Sequence, residues 1–152
     1  MENFILSIME ADTIYQYIGI FVISIGPFFE SYAAIPLGLA LQFPAIPIVL
    51  IAIVGNLASV LLFIWIIDYF RGKRKKEKKD GGRWKRAQGL FQRYGVPGVS
   101  FAGPLIGYHI GAAIALASGA SRQYITLWMT IAITAWSIVL GVLLYFGIEF
   151  IR

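Results

Sequence analysis

The chain has 152 residues, 59% of them hydrophobic and only 14% charged, with a formal net charge of +5 and no cysteine. Soluble domains average about 45–50% apolar and about 25% charged residues, so this composition excludes an ordinary soluble domain and indicates an integral membrane protein. The absence of cysteine excludes disulfides, thiol nucleophiles and cysteine-bound metals.

The acidic N-terminus, MENFILSIMEAD, lacks the basic region of a cleavable signal peptide, so we expect none. Uncharged runs fill most of the chain after it, and a spanning helix needs about 20 apolar residues. The runs cover residues 13–29, 31–67, 94–121 and 123–148. They predict a multi-pass protein of the plasma (inner) membrane that forms a single domain over residues 1–152.

The first half predicts a helical hairpin over residues 13–43, followed by a spanning helix over residues 45–70. Residues 31–43 are too few to cross a membrane, so we expect them to form one limb of a re-entrant hairpin. Proline starts helices more readily than it continues them, which makes Gly26, Pro27 and Pro36 the predicted breaks of this hairpin. The returning limb is expected to begin at Pro27.

A basic tract from Arg71 to Arg93 follows this helix and carries most of the positive charge. Lysine and arginine in short loops remain on the cytoplasmic side, so the tract predicts a cytoplasmic loop. It should also contact anionic lipid headgroups, which makes membrane lipids the expected partners. Nucleic acid is not an expected partner of a short loop held at a membrane.

The second half repeats the first at a spacing of 77 residues. Gly26-Pro27 is matched by Gly103-Pro104, which marks the break of a second hairpin over residues 94–121, and a second spanning helix covers residues 123–148. One hairpin and one crossing give each half an odd number of crossings. The repeats, residues 10–70 and 94–152, should therefore have opposite orientations in an all-α membrane protein. Four simple spanning helices are the alternative fold.

Small residues recur at every fourth position of the second hairpin, at Gly103, Gly107, Gly111, Ala115 and Gly119. On one helix they would form a continuous face that lets another backbone approach closely. We therefore interpret the last four of them as a packing stripe. The matching positions of the first half include Glu30, which should place this carboxyl on an inward face as well.

Ionisable groups inside a membrane are costly and are candidate functional groups by default. Glu30 is therefore the first candidate for proton or substrate binding. His109, the only histidine, lies in the corresponding limb of the second hairpin beside Tyr108, and Tyr32 occupies the position that matches His109. Arg122, just before the last spanning helix, completes the candidate set. Helix N-termini at the two breaks would add a positive potential that attracts anions.

Nothing in the sequence predicts an enzyme. Ser118 and His109 would have to form a serine dyad, but they lie nine positions apart on one limb and point to roughly opposite helix faces, at about 100° per residue. No group of metal ligands stands out in the sequence, so we expect neither a metal nor a cofactor.

The segment FFESYAAIPLGLAL, the Gly-Asn-bearing helix after it, the basic loop and the segment GPLIGYHIGAAIALASG together resemble the putative small multidrug export protein family. That family is similar to the DedA superfamily, whose two re-entrant hairpins face each other in the membrane. DedA proteins are linked to polyprenyl-phosphate and phospholipid translocation and to proton-dependent drug tolerance. The resemblance runs from about Gly26 to Gly147 and implies that Glu30 matches the acidic residue of the first DedA hairpin. The arginines of the second DedA hairpin have no counterpart between Pro104 and Ser118.

These features predict a small transporter or lipid translocase for an amphiphilic substrate, with proton coupling through Glu30. In one form of this hypothesis the substrate is an anion or a lipid phosphate. The alternative is a structural or lipid-organising membrane protein without coupled transport, whose activity would not depend on Glu30. The sequence leaves open whether the protein forms a homo-oligomer.

Overall fold

The computed structural model describes residues 13–71 and 82–151, and the regular structure of this part of the chain is helical. This confirms the all-α prediction for the described residues. Seven helices follow one another there. They are α1 Thr13–Ile25, α2 Glu30–Ala40, α3 Ala45–Arg71, α4 Gly82–Phe101, α5 Gly103–Ile106, α6 Tyr108–Ala117 and α7 Arg122–Ile151.

Helices α3 and α7 are long and apolar enough to cross a membrane, over Ala45–Phe70 and Arg122–Gly147. The spanning helices expected over residues 45–70 and 123–148 lie within the full lengths of α3 and α7. Pro47 is the third residue of α3, where its missing N–H removes no bond within the helix. No proline interrupts either helix beyond that first turn.

The chain folds into two compact units. The first unit contains the described residues 13–56 and 137–151, which form α1, α2, the beginning of α3 and the end of α7. The second unit is Leu57–Trp136 and contains the rest of α3, helices α4 to α6 and the beginning of α7. Each unit therefore combines a helical hairpin with part of each long helix.

In the first unit, α1 packs against α2 across a turn at residues 26–29. Ile20, Ile35 and Ile48 form the centre of its apolar core. Gly38 lets α2 approach α3 closely, because a Cβ atom at this position would lie 2.6 Å from Cγ2 of Ile48. The first hairpin thus lies against the beginning of a long helix.

Two predicted breaks of this hairpin need correction. Pro36 lies inside α2 and does not interrupt it. Proline removes one backbone hydrogen bond, and here the neighbouring Ile35 and Ala34 are fully buried, so packing holds the helix together. Pro27 belongs to the turn instead of starting the returning limb, which begins three residues later at Glu30.

In the second unit, α4 changes direction at Gly95, whose backbone has φ 66° and ψ −153°. The part of α4 after this kink packs against α6. The part before it replaces the second half of the predicted loop with helix, because Leu90 and Phe91 pack against the apolar core of the unit. Residues 72–81 of the predicted loop lie outside the described residues.

The continuous small-residue face predicted for the second hairpin is wrong. Gly107 separates α5 from α6 and Gly119 follows the end of α6, and both have positive φ angles that a helix does not contain. Gly111 and Ala115 are buried within α6. A Cβ atom at Gly111 would lie 3.0 Å from the carbonyl oxygen of Val99, so close packing is needed at this one glycine.

Backbone conformation repeats at the spacing of 77 residues. Glu30 has φ 49° and its counterpart Gly107 has φ 88°. Gln42 has φ 63° and its counterpart Gly119 has φ 94°. Glu30 and Gln42 are the residues other than glycine that have positive φ in the described part of the chain. The two hairpins therefore share unusual local geometry although few of their residues are identical.

The hydrogen bonds of the two hairpins repeat at the same spacing. The N–H of Glu30 donates to the carbonyl of Gly26 at 2.9 Å, and the N–H of Gly107 donates to that of Gly103 at 2.7 Å. Both returning helices then end in a Schellman motif, with the 6→1 bond that defines it. These bonds run from Phe43 to Gly38 at 3.1 Å and from Ala120 to Ala115 at 3.2 Å.

Exchanging the residues at the two helix ends should change stability in opposite directions. Gln42→Gly should raise the free energy of unfolding by up to about 1 kcal/mol, because a left-handed backbone costs a residue with a Cβ atom about 1–2 kcal/mol and glycine gives back part of this in entropy. Gly119→Gln should lower it by a similar amount, since a Cβ atom there meets nothing within 4 Å and only the backbone cost remains. Thermal unfolding in detergent measures both changes. Equal midpoints in the two variants would contradict the shared motif.

Candidate functional site

Glu30 is the first residue of α2 and its side chain is fully buried. Its left-handed backbone follows from its place at the end of the turn, where the second hairpin has glycine. The first turn of a helix stabilises a negative charge by about 0.3–1 kcal/mol through the helix dipole. The helix N-terminus therefore partly compensates a negative charge on the buried carboxyl of Glu30.

Three further polar side chains are buried in the first unit and form a hydrogen-bonded cluster. Ser31 of α2 accepts a hydrogen bond from Nδ2 of Asn56 in α3 at 3.1 Å and another from Oγ of Ser137 in α7 at 2.8 Å. All three residues are at most 2% exposed. Ser31 directly follows Glu30, so the cluster begins at the same helix end as the buried carboxyl.

One atom of this cluster is left without a partner. The Oδ1 atom of Asn56 is buried and makes no hydrogen bond to any of the described residues. Such an acceptor costs about 1–3 kcal/mol when it stays unsatisfied. Ser31, Asn56 and Ser137 are not among the site residues predicted from the sequence. A carboxamide in the middle of an apolar helix was a signal for Asn56, whereas a single serine in such a helix carries none.

Tyr32 lies in the same unit but its hydroxyl is directed to the turn. It donates to the carbonyl of Phe28 at 3.4 Å, and the side chain is only partly buried. This contact connects α2 to the turn at residues 26–29, so Tyr32 has a structural contact independent of any ligand.

His109 and Tyr108 begin α6 in the second unit. The Nε2 atom of His109 lies 3.0 Å from Oγ of Ser59, and its ring meets the edge of Phe63 at a centroid distance of 5.2 Å. Tyr108 is fully buried, and its hydroxyl points to the carbonyl of Ala132 at 3.5 Å. His109 is thus bound to α3 through a hydroxyl that can either donate or accept the hydrogen bond.

Arg122 starts α7 and makes two contacts within the second unit. Its guanidinium is 4.0 Å from the carboxylate of Asp68 and lies 4.7 Å above the ring of Trp65. Its side chain is 42% exposed, so the ion pair is a solvent-screened contact that adds little to stability. The arrangement suits an interfacial anchor near the end of a long helix.

The site chemistry of the first unit is thus a carboxyl with hydroxyl and amide oxygens, enclosed among apolar helices. No group of three or more histidine or acidic side chains that could hold a transition metal occurs among the described residues. Oxygen atoms of this kind bind protons and hard cations. The oxygen atoms of the first unit can therefore bind a proton or a small cation.

Comparison with known proteins gives one family. The model of the family described as "Putative small multi-drug export protein" matches residues 30–139, from Glu30 at the start of α2 into the second half of α7. No curated protein and no solved structure matches the chain. The family and the two long apolar helices together point to a membrane protein. The matched segment is most of the chain, and the protein belongs to the family of putative small multi-drug export proteins.

Proposed function

We propose that the protein is a small membrane transporter that moves an amphiphilic substrate and is coupled to protons through Glu30. The observation that carries this proposal is the fully buried carboxyl of Glu30 beside the turn of the first hairpin. An ionisable group buried among apolar helices is expensive, and such groups mark proton and ion pathways in membrane proteins. The family name, which describes multi-drug export proteins, supports an export function.

The backbone at Glu30 supports the same conclusion. This residue has a left-handed conformation, and the matching position of the second hairpin is occupied by glycine. A residue with a Cβ atom pays about 1–2 kcal/mol for that conformation. Strain of this kind clusters at functional sites, where the side chain provides something that a relaxed residue would not. We therefore infer that the carboxyl of Glu30 is the group for which this strained conformation is kept.

Both hairpins are, in this proposal, re-entrant. Helix α2 has 11 residues and α6 has 10, so each rises only about 15 Å at about 1.5 Å per residue. The hydrocarbon core of a membrane is about 30 Å thick. A limb of half that length can enter and return, which fits an inverted repeat better than four simple spanning helices.

The substrate class follows from the exposed surface of the long helices. Large apolar side chains, among them Leu50, Leu62 and Leu143, are exposed there and favour a molecule with an apolar body and a polar head that enters from the membrane. A lipid phosphate is the second substrate to examine, because the resemblance to the DedA superfamily implies one. Transport by the wild type and by Glu30→Gln in proteoliposomes with an imposed pH gradient tests the proposal.

Membrane topology provides an independent prediction. Both chain ends should lie outside the cytoplasm and the basic tract from Arg71 to Arg93 inside it, as an inverted repeat with two re-entrant hairpins requires. The chain has no cysteine, so single cysteines at Glu2, Lys76 and Arg152 can be labelled without background. A membrane-impermeant maleimide added to intact cells should label positions 2 and 152 but not 76. Protection of position 152 would contradict the re-entrant arrangement.

A further inference from the structure

The cluster beside Glu30 has a property that proton binding alone does not explain. A proton needs only the carboxyl of Glu30, yet Ser31, Asn56 and Ser137 bring three more polar side chains into the apolar core of the first unit. Buried polar groups are costly unless each one is satisfied. Their hydrogen bonds indicate what the cluster can bind.

Ser31 has no acceptor capacity left. Its Oγ atom accepts from Asn56 at 3.1 Å and from Ser137 at 2.8 Å, and a hydroxyl oxygen has two lone pairs. These two bonds fix the orientation of both partners. The Asn56 amide donates through Nδ2, so its carbonyl oxygen Oδ1 is held in place without a hydrogen-bond partner among the described residues.

Two oxygens of the cluster keep lone pairs that the hydrogen bonds within it do not use. They are Oδ1 of Asn56 and the hydroxyl of Ser137, and the carboxyl of Glu30 lies at the same end of α2. Neutral oxygens with a carboxylate are the ligands that hard metal cations prefer. The negative carboxylate and the unsatisfied acceptor both disfavour an anion at this place.

The burial of the cluster and its single carboxylate limit the size and the charge of the cation that it can bind. Each of these side chains is at most 2% exposed, so an organic cation of drug size cannot reach them without a rearrangement of the helices. A single carboxylate balances one positive charge, and a divalent ion would leave an uncompensated charge in the apolar core. The ligand class is therefore a small monovalent metal ion.

We propose that Glu30, Asn56 and Ser137 bind a sodium ion and that Ser31 holds Asn56 and Ser137 in position. Sodium and a proton would be alternative occupants, since both use the carboxyl of Glu30. The ion would act as a coupling ion, and that role rests on the proposed transport function, whereas its binding does not. Transporters place such ions beside helix ends near the middle of the membrane.

Thermal unfolding of the purified full-length protein in detergent tests the site. Sodium chloride is exchanged for choline chloride or potassium chloride at constant ionic strength. The unfolding midpoint should rise with sodium concentration and then level off, because a ligand that binds only the native state stabilises it. Choline is too large for the buried cluster and should have no such effect.

Two variants locate the site. Ser137→Ala and Asn56→Ser should each raise the sodium concentration of half-maximal effect by about tenfold or more, because losing a direct ligand weakens binding at least as much as losing a supporting group around a metal. Ser100→Ala is the matched control, because Ser100 is a fully buried serine of the second unit and lies outside the cluster. It should respond to sodium as the wild type does. Binding of radioactive sodium to the wild type provides a second measurement if a variant does not fold.

Identical midpoints in sodium and choline, together with no sodium binding, would overturn the inference. So would a sodium effect that both variants retain in full, because the ion would then bind elsewhere. Loss of gradient-dependent transport in Glu30→Gln without any sodium effect would leave the proposed function standing and reject this site. Sodium binding that the variants weaken, without any transport, would support this site and reject the proposed function.

Discussion

Glu30→Gln should leave the protein folded and inserted but abolish the dependence of transport on an imposed pH gradient. Glutamine has nearly the shape of glutamate and can still accept and donate hydrogen bonds, but it cannot bind or release a proton. Uptake of a fluorescent amphiphilic dye into proteoliposomes should therefore be the same with and without the gradient. The wild type should take up more dye when the gradient is present.

Two further variants serve as controls for Glu30→Gln. Glu30→Asp keeps an ionisable group on a shorter side chain and should retain part of the gradient dependence. Ser100→Ala, a buried change in the other unit, should transport as the wild type does. If Glu30→Gln keeps the full gradient dependence, the carboxyl has only a structural role, and the protein is better explained as a structural or lipid-organising membrane protein.

The long helices were the most predictable part of the fold. Uninterrupted apolar runs predict spanning helices by length alone, and α3 and α7 contain the expected ranges. Breaks were harder to predict because proline and glycine have more than one use. Pro36 was expected to end a helix and is tolerated inside one, while Gly107 was expected inside a helix and ends one. Only the packing around each residue decides between these outcomes.

The candidate site shows the same limit. Glu30 could be found from the sequence, because a charge in an apolar run stands out. The left-handed backbone of Glu30 could not be predicted from the sequence. The repeat shows that Glu30 matches Gly107, but it does not show which backbone conformation the two residues share. The cluster of Ser31, Asn56 and Ser137 joins three helices, and the sequence does not show which helix faces meet. Side-chain contacts far apart in the chain depend on packing that periodicity alone does not specify.

Gly55→Ala should lower the free energy of unfolding by about 1–3 kcal/mol, the usual cost of adding atoms to a tightly packed core. Helix α1 lies against α3 at this glycine: a Cβ atom would overlap Oγ of Ser24 and lie 3.0 Å from the carbonyl oxygen of Phe21. That oxygen belongs to the backbone of α1 and accepts a hydrogen bond from Ser24 at 2.7 Å, so it cannot move alone. Thermal unfolding in detergent gives the change directly.

Gly19→Ala in α1 is the matched control, because a Cβ atom at Gly19 meets nothing within 4 Å. Alanine is the better helix former by about 0.5–1 kcal/mol, so Gly19→Ala should be slightly more stable than the wild type. A gain in stability at Gly19 and a loss at Gly55 would show that the loss comes from the contact with α1 and not from helix propensity. Adding Ser24→Ala to Gly55→Ala should restore only part of the stability, since the carbonyl of Phe21 still blocks the new methyl group. Asn56 follows Gly55 directly, so displacing α1 from α3 should also weaken the sodium response of the cluster. Equal stability of Gly55→Ala and Gly19→Ala would mean that α1 is not seated on α3 as described.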